Sequence, residues 1–222
     1  MRSLARAHYE RAVAALAATE ADAASLPPAH ASAYELMLAT LAEDRRRLKA
    51  IQSVERKIEA KRQMLPQYAA WVQGVLEGGS GRQDDVLMTV MVWRIDTGDH
   101  EGALAIAEYA LRHGLTLPDQ YQRDTATVIA EEIAEQALTA LTTGQAVSAS
   151  VLERAAVLTE GRDMPDEARA KLHKALGLAL QGEQPARALE HFRRALRLHE
   201  RVGVKKEIER LERELKKAGS PG

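Results

Sequence analysis

"GRQDDVLMTVMVWRIDTGDHEGALAIAEYALRHG" (residues 81–114) sets two adjacent acids before an apolar run, then an Asp-Thr-Gly-Asp turn, then a second run rich in alanine. Val86 to Ile95 is apolar almost all round, the pattern of a helix buried on several sides. Gly98 suits a helix C-terminus and Asp99 the cap of the next helix. Ala103, Ala107 and Ala110 recur on one face of that partner, where small side chains let two helices approach closely. The stretch therefore reads as an antiparallel helical hairpin at the centre of a core. Ser80 and Gln83 stand at capping-box spacing, which starts its first helix near Arg82.

The same signature extends along the chain. Of 222 residues only 4% are aromatic, and phenylalanine occurs once. An apolar fraction carried by Ala and Leu favours packed helices over sheets. The expected fold is all-α: a helical bundle with a long basic N-terminal helix and TPR-like helical hairpins. Cysteine is absent, which excludes disulfides, thiolate chemistry and thiolate-bound zinc. No stretch approaches the roughly 18 apolar residues of a membrane span. The Ala- and Arg-rich start carries Glu10, Glu20 and Asp22, unlike a transit peptide, so the cytoplasm is the default compartment.

Pro27 and Pro28 break a first Ala-rich helix, leaving residues 1–31 as a separate and mobile element. From Ser32 no Gly or Pro appears before Pro66. Tyr34, Met37, Leu38, Leu41, Leu48, Ile51, Ile58 and Leu65 repeat at helical spacing, so residues 32–65 read as one long amphipathic helix. Its polar face carries Arg45, Arg46, Arg47, Lys49, Arg56, Lys57, Lys61 and Arg62 against Glu55 and Glu59. The whole chain has a net charge of −1, so any attraction to nucleic acid must come from such a cluster. These side chains suit duplex phosphate contacts; single-strand binding would want aromatics among them. A solvated face or an oligomer interface has the same composition.

Residues 66–217 read as the helical core, with 218–222 a tail. Pro66 opens a short helix that Gly78 and Gly79 end. "TLPDQYQRDTATVIAEEIAEQALTALTTG" closes at Gly144, Ser150 and Glu153 offer a second capping box, and Pro165 falls in a helix's first turn. In "AKLHKALGLALQGEQPARALEHFRRALRL", Leu176-Gly177 followed by Ala188, Phe192 and Ala195 resembles a tetratricopeptide unit, with a looser echo at 86–111. One unit cannot make a solenoid. In the last helix, Val204, Ile208, Leu211 and Leu215 share a face that either ends the core or meets a partner.

Chemistry is sparse. Asp84, Asp85, Asp96 and Asp99 are the candidates for a two-metal nuclease centre, which needs carboxylates converging on ions about 4 Å apart. They stand at opposite ends of one helix, on the order of 20 Å apart, and read instead as caps and turn residues. No HExxH, P-loop or GxSxG is present, and His173 and His191 suit packing or capping. The expectation is no catalytic residue, no metal and no cofactor.

"WVQGVLEGGSGRQDDVLMTVMVWRIDTGDHEGALAIAEYALRHGLTLP", "DMPDEARAKLHKALGLAL" and "GVKKEIERLERELKK" are similar to the small terminase subunit of temperate cohesive-end myophages, over roughly Tyr34 to Lys217. The resemblance implies a DNA-packaging protein; members are sometimes labelled an endonuclease subunit, and with no nuclease motif in this sequence that label is read as describing the holoenzyme. The protein would bind the cohesive-end site in double-stranded viral DNA and form a ring-like homo-oligomer. It would then deliver DNA to a large subunit holding ATPase and nuclease, in the cytoplasm of an infected or lysogenic bacterium. Relatives can extend into a basic tail where this sequence stops at "KKAGSPG"; either the 45–62 surface carries more of the DNA contact or the chain is a shortened form. The last helix, through Ile208, Leu211 and Leu215, is the expected dock for the large subunit, with a helix that caps its own core as the alternative. Two rivals stand beside this reading. One is a nuclease using Asp84 and Asp85 as metal ligands, and the other is a scaffold whose basic face pairs with acids of neighbouring copies.

Overall fold

The computed structural model describes residues 8, 9, 11–13, 15, 28–119 and 121–218. Among them there is helix and no strand. Most of the expected 1–31 element and the 218–222 tail lie outside the described residues. Contacts cluster into two units, residues 1–122 and 123–222, and the boundary falls within the 66–217 run.

In the first unit, α1 spans Pro28–Ala50 and α2 Val54–Met64. The expected single helix over 32–65 is thus two. Ser53 is extended (φ −69°, ψ 129°) and its hydroxyl accepts from the Arg56 backbone N–H. A serine offered as N-cap competes with helix continuation, and the flanking β-branched Ile51 and Val54 do little to resist it. A 3-10 turn over Leu65–Tyr68, with Pro66 near its start, leads into α3 (Ala69–Gly78), which Gly79 ends in the left-handed region at φ 64°.

The hairpin is α4 (Asp85–Thr97) and α5 (His100–His113). Every residue from Val86 to Trp93 is buried, and so is Ile95. The expected start at Ser80 and Gln83 shifts to Asp84, whose carboxylate accepts from Leu87 N at 2.8 Å. Gln83 instead reaches the Thr116 backbone, donating to its carbonyl at 2.9 Å and accepting from its N–H at 3.0 Å. Gly98 is left-handed at φ 83°, and Asp99 caps α5 by accepting from Gly102 N at 3.1 Å. Ala103, Ala107 and Ala110 are all buried, and α5 packs on α4.

The second unit holds α6 (Thr125–Thr142), α7 (Ala149–Leu158), α8 (Asp166–Leu180), α9 (Pro185–Leu198) and α10 (Lys205–Ala218). Ser148, rather than Ser150, caps α7. Pro165 stands one residue earlier than expected, as the N-cap of α8. Helix α8 packs against α6, α7 and α9, and α10 packs on α9. At the α8–α9 crossing Gly177 faces Phe192 so closely that an added Cβ would stand 2.5 Å from the ring. That contact sets how near the two helices lie.

Candidate nucleic-acid interface

Helices α1 and α2 carry the eight sequence-selected cations, and a helix turns about 100° per residue, so neighbours point different ways. Arg45 turns inward: it donates to Thr89 Oγ1 on α4 at 2.6 Å, and its Nε is buried without a partner. Lys61 also turns inward, to Asp96 at the far end of α4, at 2.5 Å. The remaining six stay nearer solvent. Arg46 and Arg47 have side chains 74% and 63% exposed and pair with Glu43 at 2.7 and 3.5 Å. The exposed pairs to Glu43 contribute roughly 0–1 kcal/mol, so a phosphate can displace them, while Arg47 also stands 3.7 Å from the buried Asp44. Lys49, Arg56 and Lys57 have no ion-pair partner among the described residues, with Lys49 and Arg56 exposed and Lys57 half-buried. Arg62 pairs with Glu59 at 3.6 Å and donates to the Thr97 carbonyl at 3.3 Å.

Asp44, not singled out from sequence, holds this platform in place. It is buried, accepts from Tyr68 Oη at 2.7 Å and also from Gln67 Nε2, and so ties α1 to the 3-10 turn. Burial and the neighbouring Asp44 push the Tyr68 hydroxyl upward, keeping it a neutral donor. Tyr34 adds a second tie, stacking on Trp71 at 5.8 Å and accepting from Asp85 N at 3.3 Å. Burial pushes its hydroxyl up to about 12. The signal for Asp44 was its place in the apolar stripe, three residues after Leu41.

The four acids are taken up by structure. Asp84 is buried and accepts from both Leu87 N and Trp71 Nε1, the latter at 2.9 Å. Burial holds its carboxyl above the usual range despite these donors. Asp85 accepts from Gln83 Nε2 at 3.1 Å, Asp96 pairs with Lys61, and Asp99 pairs with Arg94 at 3.2 Å. No group of three or more His, Asp or Glu side chains among the described residues is placed to hold a metal.

In the second unit His173 and His191 stack at 5.3 Å, with their Nδ1 atoms 3.0 Å apart. Burial and the cations around it lower His173 from 6.5 to about 4, and His191 is lowered too. The groups facing the pair are Glu153 from α7, Arg169 from α8, and Arg187, Glu190, Arg194 and Arg197 from α9. An imidazole held down in this way makes the unfolded chain bind more protons between about pH 6.5 and 4. Its stability contribution is therefore full above about pH 6.5 and is lost as pH falls towards 4. His173→Asn should flatten that acid loss in thermal melts; an unchanged pH profile would count against the pair as its source.

On α10, Leu211 is fully buried and Ile208 and Leu215 are half-buried. Arg193 and Glu212 clamp α9 to α10 at 2.6 Å. Leu211 is therefore committed to the helix's own seat on α9, and of the three residues expected to meet a partner only Ile208 and Leu215 retain exposed surface.

Comparison with known proteins supplies what geometry alone leaves open. The family model for the phage small terminase subunit matches residues 38–167. A relative from Escherichia phage P2, "Terminase, endonuclease subunit", is 51% identical over 222 residues, covering 100% of this chain and 89% of its own length. Another, "Probable terminase, endonuclease subunit" from Haemophilus phage HP1, is 26% identical over 196 residues, 82% of this chain and 70% of that protein. No solved structure matches. With the family model covering more than half of the chain and a full-length relative at this identity, the chain belongs to the phage small terminase subunit family.

Proposed function

We propose that this chain is the recognition subunit of a terminase. It binds the cohesive-end packaging site in double-stranded viral DNA, assembles as a ring-like homo-oligomer, and delivers the DNA to the large ATPase and nuclease subunit. It has no catalytic role of its own and works in the cytoplasm of the bacterium that carries the phage; no described helix is long and apolar enough to cross a membrane. The observation that carries this reading is the basic surface of α1 and α2. Arg46, Arg47, Lys49, Arg56, Lys57 and Arg62 project from two helices whose other faces are fixed to α4 and the 3-10 turn. Arg45 and Lys61 serve as its anchors. Phosphate neutralisation by side chains on a rigid element gives salt-dependent affinity with little ordering cost.

Arg46→Ala/Arg47→Ala/Lys49→Ala should weaken duplex binding across sequences and flatten the dependence of log K on log salt by roughly 2.7, about 0.9 per lost contact. Arg45→Ala should leave that slope alone and lower the melting temperature instead, because it removes the bond to Thr89. Fluorescence titration of a cohesive-end duplex and a scrambled one across salt reads both effects. A slope unaltered by the triple change would remove α1 from the DNA surface.

Both relatives are named as endonuclease subunits, which favours a second reading in which this chain cuts DNA itself. Purified protein with magnesium or manganese would then nick DNA without the large subunit, and Asp85→Ala would abolish the nicking. The recognition reading expects intact DNA in that assay.

A further inference from the structure

The second unit contains a groove of about 670 Å³ between the C-terminal turn of α7 and the α8–α9 pair. Its floor includes Ala156, Leu172 and the exposed Val157, and one wall is the stacked pair of His173 and His191. Arg162, Arg169 and Arg194 also line it, with Glu160 and Asp163 as the acidic members. Beside its partner His191, the charged neighbours acting on His173 are the cations Arg194, Arg169 and Arg197. Three guanidinium groups against two carboxylates, beside apolar and aromatic surface, give the groove the chemistry to receive an anion.

Two details sharpen the chemistry. Arg169 is fixed by donating to the Arg162 carbonyl at 2.6 Å and to the Thr159 carbonyl at 3.3 Å, so its guanidinium is positioned in advance. Arg194 is exposed and has no ion-pair or hydrogen-bond partner among the described residues. We propose that this groove is a phosphate-binding site, with Arg194 and Arg169 on the phosphoryl oxygens and the His173–His191 pair as hydrogen-bond donor, for a nucleotide or a nucleic-acid strand. Guanidinium groups match phosphate geometry with paired N–H donors.

With one Nδ1 donating to the other, a neutral pair keeps one Nε2–H donor and one bare Nε2. In that neutral form the pair offers a bound anion a single Nε2–H donor. The acids near the site are Glu160 and Asp163 on its lining and Glu153 and Glu190 facing His191. On α6, Glu131 and Glu135 are engaged with Lys171 instead.

The test is calorimetric titration of the full-length protein with inorganic tripolyphosphate at pH 7.5. The expected result is saturable binding, weakened about tenfold by Arg194→Ala and partly restored by Arg194→Lys. Arg194 is at the surface, so the change leaves folding intact, as a thermal melt verifies. Competition by ATP or by a short duplex then assigns the phosphate's source. The α1 triple variant separates the two DNA surfaces, since it should bind tripolyphosphate normally. Absence of saturable binding, or equal affinity in Arg194→Ala, overturns the site whatever becomes of the DNA surface on α1 and α2.

Discussion

Phe192→Ala should lower stability by about 3–5 kcal/mol, the range for removing a fully buried aromatic ring. Phe192 is the chain's one phenylalanine, is 0% exposed, and lies against the bare backbone of Gly177. Deleting the ring leaves a cavity that two helices already in close contact can only partly close. Gly177→Ala should also destabilise, although alanine is the better helix former by about 1 kcal/mol, because its Cβ would stand 2.5 Å from the ring. The double variant makes the expectation sharper. Once Phe192 is alanine the clash is gone, and Gly177→Ala should change from harmful to neutral or favourable. Urea denaturation of the four proteins reads the cycle. A cost below about 1 kcal/mol for Phe192→Ala would contradict the crossing described above.

Asp84→Ala should lower stability by about 2–4 kcal/mol. Loss of the N-cap costs about 1 kcal/mol, and a buried Trp71 N–H left without an acceptor adds roughly 1–3 kcal/mol. Asp84→Asn should lie between alanine and the parent. Its carbonyl can still cap Leu87, but its amide would meet the Trp71 donor. Asp84 accepts two protein donors, Leu87 N and Trp71 Nε1, and the fold loses both with its carboxylate. Denaturant titration with tryptophan fluorescence measures both stability and the Trp71 environment. Full stability in Asp84→Ala would reopen a role for this carboxylate outside the fold.

Much of this was legible from residue order. The α4–α5 hairpin follows from two apolar runs around Asp-Thr-Gly-Asp, because glycine supplies the positive φ and aspartate the cap. The Leu176-Gly177 and Phe192 spacing likewise marked the α8–α9 pair. The break at residues 51–53 was hidden because no glycine or proline announces it; a lone Ser53 reorganises the backbone through a single hydrogen bond. Ser80 and Gln83 misled for a different reason. Gln83 finds a better partner 33 residues away at Thr116, and local spacing cannot foresee a tertiary competitor. On the basic surface, charge count could not separate Arg45 from Arg46, since one residue of rotation decides between core and solvent. The groove beside His173 and His191 escaped notice because its cations come from α7's end, α8 and α9, dispersed in sequence.

The two inward-turned cations have a mechanical meaning. Arg45 grips Thr89 in the N-terminal half of α4, and Lys61 grips Asp96 near its C-terminal end. Basic helices α1 and α2 are thereby riveted at two separated points to one buried rod. A pull applied to their outer cations is a shear shared between two fastenings and passed into the most tightly enclosed helix of the unit. Such a mount yields as a block, which is what a protein needs if the polymer it holds is being drawn away by a motor.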